Sequence, residues 1–313
     1  MKTILTVQDI KEFEIDLTGT CNLNCPLCTR NYKHAQHMLG SNHRSIQELT
    51  KQLDIFPNLQ RIMLAGAISE PTTYKYFFEL LEYLNTRNIF IDLFTNGDTN
   101  VDWKRIGKLF SEGNPESLCT FTICGSTQET HAKYRKGSNL SNILRNAALF
   151  REGNNANQDT IQIIEFEYNK NDDFSKIKKM FSDHFIIHSE GVRRLRDFVR
   201  KPEPEVRPVN KIDKAIKTIF KYRPMPGDKV NIQCKSMISK KLFMNQYGQL
   251  HHCYISAEFP ESKNDFLLKD PSTLTKDTIF DFSNVLAFKY PDCFQCSTTT
   301  KKLIEKSGLD FIC

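Results

Sequence analysis

Between residues 13 and 188 the chain alternates short apolar runs with stretches of helical periodicity, and that alternation limits the folds open to it. The runs are residues 13–18, 61–66, 89–95, 118–124, 160–168 and 185–188, rich in Ile, Leu and Phe. Each reads as a buried strand. Between them, residues 73–84 set Phe77, Phe78, Leu80, Leu81 and Leu84 at helical spacing, and 103–110, 139–150 and 174–181 repeat the pattern. Ser45-Ile-Gln-Glu48 reads as a capping box, in which the two side chains satisfy each other's backbone N–H groups. Six strand–helix units in succession predict an α/β fold with a parallel sheet and right-handed crossovers. Such a sheet closes into a partial barrel or opens into a doubly wound layer.

The 313 residues allow one large domain and a smaller one. No run approaches the ~18 apolar residues of a membrane span. The N-terminal residues carry a short apolar patch without the core of a signal peptide, so a cytoplasmic protein with no membrane partner is expected. Ten cysteines in a reducing compartment point to metal binding or catalysis before disulfides.

Charge is uneven. Residues 193–223 hold eleven Lys/Arg against four Asp/Glu, a local +7 within a net +6. Residues 191–230 also hold five prolines: Pro202, Pro204, Pro208, Pro224 and Pro226. This segment reads as a solvated connector with one helix near 211–222. It lacks the interleaved aromatics of a single-strand platform, so a nucleic-acid partner is not expected. The organisation is then a core over 1–190, a connector over 191–230 and a smaller cysteine-bearing region over 231–313.

Three cysteines follow the first run: Cys21-Asn-Leu-Asn-Cys25-Pro-Leu-Cys28. Three thiolates on one loop can hold three irons of a four-iron cubane and leave the fourth without a protein ligand. An open iron can take a substrate or cofactor directly, as an open zinc position does. A structural zinc loop is the alternative at this spacing. A second group comprises Cys234, Cys253 within Gly248-Gln-Leu-His-His-Cys253, and Cys293-Phe-Gln-Cys296, for which a zinc ribbon is the alternative. Cys119, Cys124 and Cys313 remain.

The other strand ends also carry polar motifs. Leu64-Ala-Gly-Ala-Ile-Ser-Glu-Pro71 closes the second run, Phe94-Thr-Asn-Gly97 the third, and Phe121-Thr-Ile-Cys-Gly-Ser126 the fourth, followed by His131 and Arg135. In the fifth, alternation puts Glu165 and Glu167 on one face.

Together these motifs resemble the radical S-adenosylmethionine (radical SAM) enzymes over about residues 10–300. The resemblance implies a partial (β/α)6 TIM-like barrel with chemistry at the carboxyl ends of the strands. It implies that Cys21, Cys25 and Cys28 hold a [4Fe–4S] cluster whose open iron chelates SAM. Reductive cleavage of SAM would then give a 5′-deoxyadenosyl radical that takes a substrate hydrogen. Gly66, Ser69 and Glu70 match the family turn that holds the SAM amino group, although the usual adjacent glycines are missing. Asn96, Thr122, Ser126, Arg135 and Asn169 match further SAM-contacting positions. Cys234, Cys253, Cys293 and Cys296 resemble a twitch domain, the short form of the SPASM domain, and imply one auxiliary [4Fe–4S] cluster.

The implied reaction is a net oxidation or a modification of a peptide or small molecule, with a reductant such as a flavodoxin or ferredoxin. Cys124 stands where the family usually has Asp, which admits an epimerase with this thiol as catalytic hydrogen donor; a buried filler is the structural reading. A zinc-stabilised nucleic-acid-binding module is the alternative from another class.

Overall fold

The computed structural model describes residues 4–188, apart from Leu27, Tyr32, Asn42 and Ala67, together with 235–253 and 267–282. The basic connector, Cys234, Cys293, Cys296 and Cys313 lie outside the described residues.

Six parallel strands form the centre: β2 (Glu12–Ile15), β3 (Arg61–Leu64), β4 (Phe90–Thr95), β5 (Leu118–Ile123), β6 (Asp159–Glu165) and β7 (Asp183–His188). Helices α1 (Ile46–Leu53), α2 (Phe77–Thr86), α3 (Trp103–Glu112), α4 (Gln128–Tyr134), α5 (Leu140–Gly153) and α6 (Ser175–Lys178) connect them. The arrangement is the partial (β/α)6 barrel. No helix among the described residues is long and apolar enough to cross a membrane.

A seventh parallel strand was not legible in the sequence. β8 (Lys241–Met244) pairs with β2 from Glu12↔Lys241 to Ile15↔Met244, and β9 (Leu250–His251) follows it antiparallel. A short helix α7 (Lys235–Ile238) precedes β8. The full sheet therefore runs β7-β6-β5-β4-β3-β2-β8-β9, so part of the region expected as a separate domain completes the edge of the barrel. Separately, β1 (Ile4–Thr6) pairs antiparallel with β10 (Ile279–Asp281), and Phe56 joins this pair to the barrel by packing 4.8 Å from Phe13 and 6.2 Å from Phe280.

Alternation along each strand separates two faces. Ile62, Leu64, Ile91, Leu93, Phe121 and Ile163 belong to the main core beneath the helices. Many of the intervening positions are polar: Arg61, Asp92, Thr120, Thr122, Thr160 and Gln162. Arg61 pairs with Asp92 across β3 and β4, and Lys241 pairs with Glu14 across β8 and β2 at 3.0 Å.

Several predicted boundaries move inward for local reasons. The first strand ends at Ile15, not at residue 18: Asp16 N–H makes a last bond to Met244 O, after which Thr18 turns to bond Thr20. The fifth ends at Glu165. Asn169 Oδ1 accepts from Phe166 N at 2.6 Å, and its Nδ2 donates to Ile164 O at 2.9 Å, closing a turn. Glu167 therefore lies in that turn and pairs with Lys170, rather than sharing a strand face with Glu165. The second helix begins at Phe77 because residues 71–73 form a 3-10 turn capped by Glu70. The Ser45 capping box forms as read.

Candidate active site at the carboxyl ends of the strands

The loop after β2 carries Cys21, Cys25 and Cys28. Its backbone folds tightly: Cys28 N–H donates to Cys25 O at 3.0 Å, and Asn31 N–H to Cys28 O at 3.0 Å. The Asn31 side chain also donates to Cys25 O at 2.8 Å, and Leu23 N–H faces the Cys21 sulfur at 3.5 Å. The loop is tied outward as well, by Asn24 N–H to Lys136 O at 3.0 Å and by Asn22 Nδ2 to Asp98 O at 2.7 Å. Burial pushes the Cys21 and Cys25 thiols above their ordinary value; the Leu23 N–H opposes this at Cys21 and Arg135 opposes it at Cys25.

Among the described residues no three His, Cys, Asp or Glu side chains converge on one ion position. A cubane asks for something else, because each thiolate binds a different iron. Three thiols on one pinned loop, with cationic Arg30 and Arg135 among their electrostatic neighbours, fit that donor set.

The end of β3 makes the next wall. Gly66 adopts φ +55°, and a Cβ there would stand 2.1 Å from Ser69 O, so the turn requires glycine. Ser69 Oγ donates to Asp16 Oδ1 at 2.9 Å. Glu70 is 3% exposed. Its carboxylate accepts from Thr72 Oγ1 at 2.8 Å, Thr95 Oγ1 at 2.7 Å and Asn96 N–H at 2.7 Å, with a longer bond from Thr72 N–H. Burial raises the Glu70 pKa and these donors pull it back. The side chain thus staples the end of β3 to the end of β4. Asn96 in turn donates to Asn22 Oδ1 at 2.8 Å and lies 3.8 Å from the Cys21 sulfur.

At the end of β5, Cys124 is fully buried. Its N–H donates to His131 Nδ1 at 3.2 Å, while its carbonyl accepts from Tyr168 OH at 2.9 Å and Asn169 Nδ2 at 2.8 Å. His131 Nε2 meets Ser138 Oγ at 3.1 Å, and burial pushes the imidazole pKa down to about 3. Gly125 lets α4 approach closely, since a Cβ would stand 2.2 Å from His131 N. Phe166 packs between Tyr134 and Tyr168 at 4.6 and 5.2 Å. Arg135, just past α4, has Cys25 and Cys124 among its electrostatic neighbours. Burial alone would lower its pKa, but these sulfurs outweigh it and hold the pKa above its ordinary value.

The structure brings Cys21, Glu70 and Asn96 into one connected group, and Cys25, Cys124, Arg135 and Asn169 into another. Thr122 lies within the barrel, donating to Gln162 Oε1 at 3.0 Å. Ser126 is half-buried at the rim, with its N–H on Asp172 Oδ2 at 2.7 Å. Asn22, Asp172, Tyr134 and Tyr168 were missed as site residues. A single polar or aromatic side chain in a loop or at a helix end carries no periodic signal, so sequence offered nothing to find them by.

Of the second cysteine group, Cys253 is described. It follows β9, half-buried, and lies close enough to Lys241 to help raise that pKa. The preceding His251 and His252 are 2% and 3% exposed; burial pushes His252 down to about 4.

Residues 15–181 match the radical SAM superfamily, which is more than half of the chain, so the chain belongs to that superfamily. It is accordingly an enzyme that uses SAM and a [4Fe–4S] cluster. Its fold is similar to that of Streptococcus suis SuiB bound to S-adenosylmethionine, with TM-score 0.58 and 14% identity over 92% of this chain and 70% of that one. SuiB bound to precursor peptide SuiA gives TM-score 0.56 and 11% identity over 90% of this chain and 65% of that one; the present chain thus spans about two thirds of that length. Native anSMEcpe with bound AdoMet gives TM-score 0.55 and 16% identity over 92% and 83%. No curated protein sequence matches.

Proposed function

We propose that Cys21, Cys25 and Cys28 hold the SAM-cleaving cluster and that the enzyme abstracts a hydrogen atom from a peptide or small molecule, for a net oxidation or crosslink. The observation that carries this reading is the convergence of the cysteine loop with the ends of β3, β4 and β5 through Glu70, Asn96 and Arg135. When bound, the cluster supplies one electron for reductive cleavage of SAM to the 5′-deoxyadenosyl radical.

The chain's own residues bind and orient. The turn of Gly66, Ser69 and Glu70 offers backbone groups to the SAM amino group and is held rigid by the Glu70 carboxylate. Arg135, with five donors, reaches toward the SAM carboxylate. Thr122, Ser126 and Asn96 contribute polar contacts, and Asn169 shapes the end of β6 beside the adenine. Cys234, Cys253, Cys293 and Cys296 hold an auxiliary [4Fe–4S] cluster of the twitch type, suited to receive the electron left after hydrogen abstraction and deprotonation. A flavodoxin or ferredoxin class of protein supplies electrons to the first cluster. The peptide option draws support from SuiB, whose structure was obtained with a precursor peptide.

A second reading, epimerisation, is favoured by the placement of Cys124 beside Arg135 at the barrel mouth. There the S–H bond would break and a C–H bond form on the opposite face of the substrate radical, and one electron and one proton from the reductant would restore the thiol. Cys124→Ala separates the two, since turnover survives only under the oxidation reading.

The test of the principal reading is anaerobic purification with iron, sulfide and zinc quantified. About eight irons per chain, with about half lost in the Cys21/Cys25/Cys28→Ala variant, support two [4Fe–4S] sites. About four irons would remove the auxiliary cluster. Stoichiometric zinc without iron after reconstitution would overturn the reading and promote the zinc-stabilised module. Formation of 5′-deoxyadenosine under reducing conditions tests SAM cleavage directly.

A further inference from the structure

The turn from Gly66 to Glu70 is tied to the cysteine loop on both flanks. Glu70 N–H donates to Thr20 O at 2.9 Å, immediately before Cys21. Arg30, two residues after Cys28, donates from its guanidinium to Ile68 O at 2.9 Å. The arginine is itself held. Residues Thr29–Asn31 form a 3-10 turn, Asn31 N–H bonds Cys28 O at 3.0 Å, and the Gln36 side chain donates to Arg30 O at 2.7 Å. Ile68 is 1% exposed and packs with Met38 and Phe243, so the carbonyl that Arg30 reaches belongs to an anchored residue. A charged donor makes a shorter and stronger bond than a neutral one, and an arginine keeps its charge under all ordinary conditions.

SAM in the proposed site answers to both segments. Its amino group meets the turn, and the cluster it chelates belongs to the cysteine loop. SAM can satisfy both only if the two segments keep a fixed separation, and misplacement by about 1 Å can cost about a hundredfold in such arrangements. We infer that Arg30 is a positioning residue for SAM: through its bond to the Ile68 carbonyl it sets where the amino-binding turn stands relative to the cysteine loop. The role is one of placement, and no covalent step runs through it. The inference rests on the proposed roles of the Gly66–Glu70 turn and of Cys21, Cys25 and Cys28.

The test is calorimetric titration of the full-length, anaerobically loaded enzyme with two probes. One is SAM. The other is 5′-methylthioadenosine, which keeps the adenosine end and lacks the amino and carboxylate groups. In Arg30→Met, SAM should bind at least tenfold more weakly, 5′-methylthioadenosine should bind as it does to wild type, and iron per chain should be unchanged. Arg30→Lys, which keeps one charged donor for the carbonyl, should recover part of the loss. In Arg30→Met/Gly66→Ala the loss should fall well short of the product of the two single losses, because a turn already displaced no longer depends on Arg30.

Unchanged SAM affinity in Arg30→Met would overturn the inference. Equal weakening of both probes would overturn it too, since a general loosening of the fold spares neither. Losses that multiply in the double variant would mean that Arg30 acts on SAM directly, and loss of iron would mean that it serves the cluster; either result overturns the inference. Should Arg30→Met fail to fold by circular dichroism, Arg30→Gln, too short for the same bond, is read in the same way. SAM affinity at the wild-type level in Gly66→Ala would overturn the reading of the turn itself, and a wild type that takes up no iron would overturn the ligation reading.

Discussion

Asn96, just past the end of β4, donates its side-chain amide to Asn22 Oδ1 at 2.8 Å, and the same nitrogen stands 3.8 Å from the Cys21 sulfur. The polar end of one strand therefore steadies the cysteine loop that follows another. Neither residue belongs to the hydrophobic core, so their link governs the loop more than the fold.

Asn96→Ala removes that link and also the bond that Asn96 Oδ1 accepts from Asp98 N–H at 2.8 Å. We expect a stability loss of about 2 kcal/mol, the ordinary contribution of two such bonds, and a shift of a few degrees in Tm. Iron should leave the variant several-fold faster in the presence of a chelator, monitored by the visible absorbance. Iron release at the wild-type rate would show that the loop holds its shape unaided.

His131 makes stability depend on pH. Its pKa falls from the ordinary 6.5 to about 3 through burial, so the unfolded chain binds the extra proton first as pH drops. Its contribution is complete above about pH 6.5 and is lost as pH falls toward 3, up to about 5 kcal/mol in all. In His131→Gln, which keeps polar groups toward Cys124 N–H and Ser138, urea unfolding between pH 7 and pH 5 should show a distinctly shallower decline. Parallel curves for the two proteins would contradict the assignment.

Gly66→Ala forces a side chain into a left-handed turn and against Ser69 O. The conformational cost alone is about 1 kcal/mol, and the overlap requires the turn to move. SAM affinity by calorimetry should drop at least tenfold, while the far-UV spectrum stays that of the barrel. Undiminished affinity would remove this turn from the binding site.

Arg61 and Asp92 pair on the inner face of the barrel, with Asp92 side-chain exposure at 6% and Arg61 at 32%. Arg61→Met leaves a buried carboxylate with Lys241 as its remaining cationic neighbour, at a cost of about 2–4 kcal/mol after allowance for the exposure of the arginine. Arg61→Met/Asp92→Leu should recover most of that loss. A double variant as unstable as the sum of the singles would mean that the two charges act independently.

The barrel was readable because one face of each strand packs beneath the helix layer, which leaves short runs rich in Ile, Leu and Phe between stretches of helical periodicity. The cysteine loop was readable because three ligands for one cluster must lie close along a single loop. β8 was not readable: Lys241-Leu-Phe-Met244 is four residues long, and its partner Glu14 is 227 positions away. Nor did the sequence show that both Glu70 oxygens accept bonds from Thr72, Thr95 and Asn96, joining the end of β3 to the end of β4.

What the sequence determined by itself is therefore the periodic and the local: six strand–helix units, the Ser45 cap and the cysteine spacing, all set by interactions between near neighbours. Tertiary structure alone decided that β8 borders β2, that Asn22 meets Asn96, and that Arg135 comes into the electrostatic neighbourhood of Cys25 and Cys124. Those contacts join distant strand ends, and only closure of the sheet brings such ends within hydrogen-bonding reach.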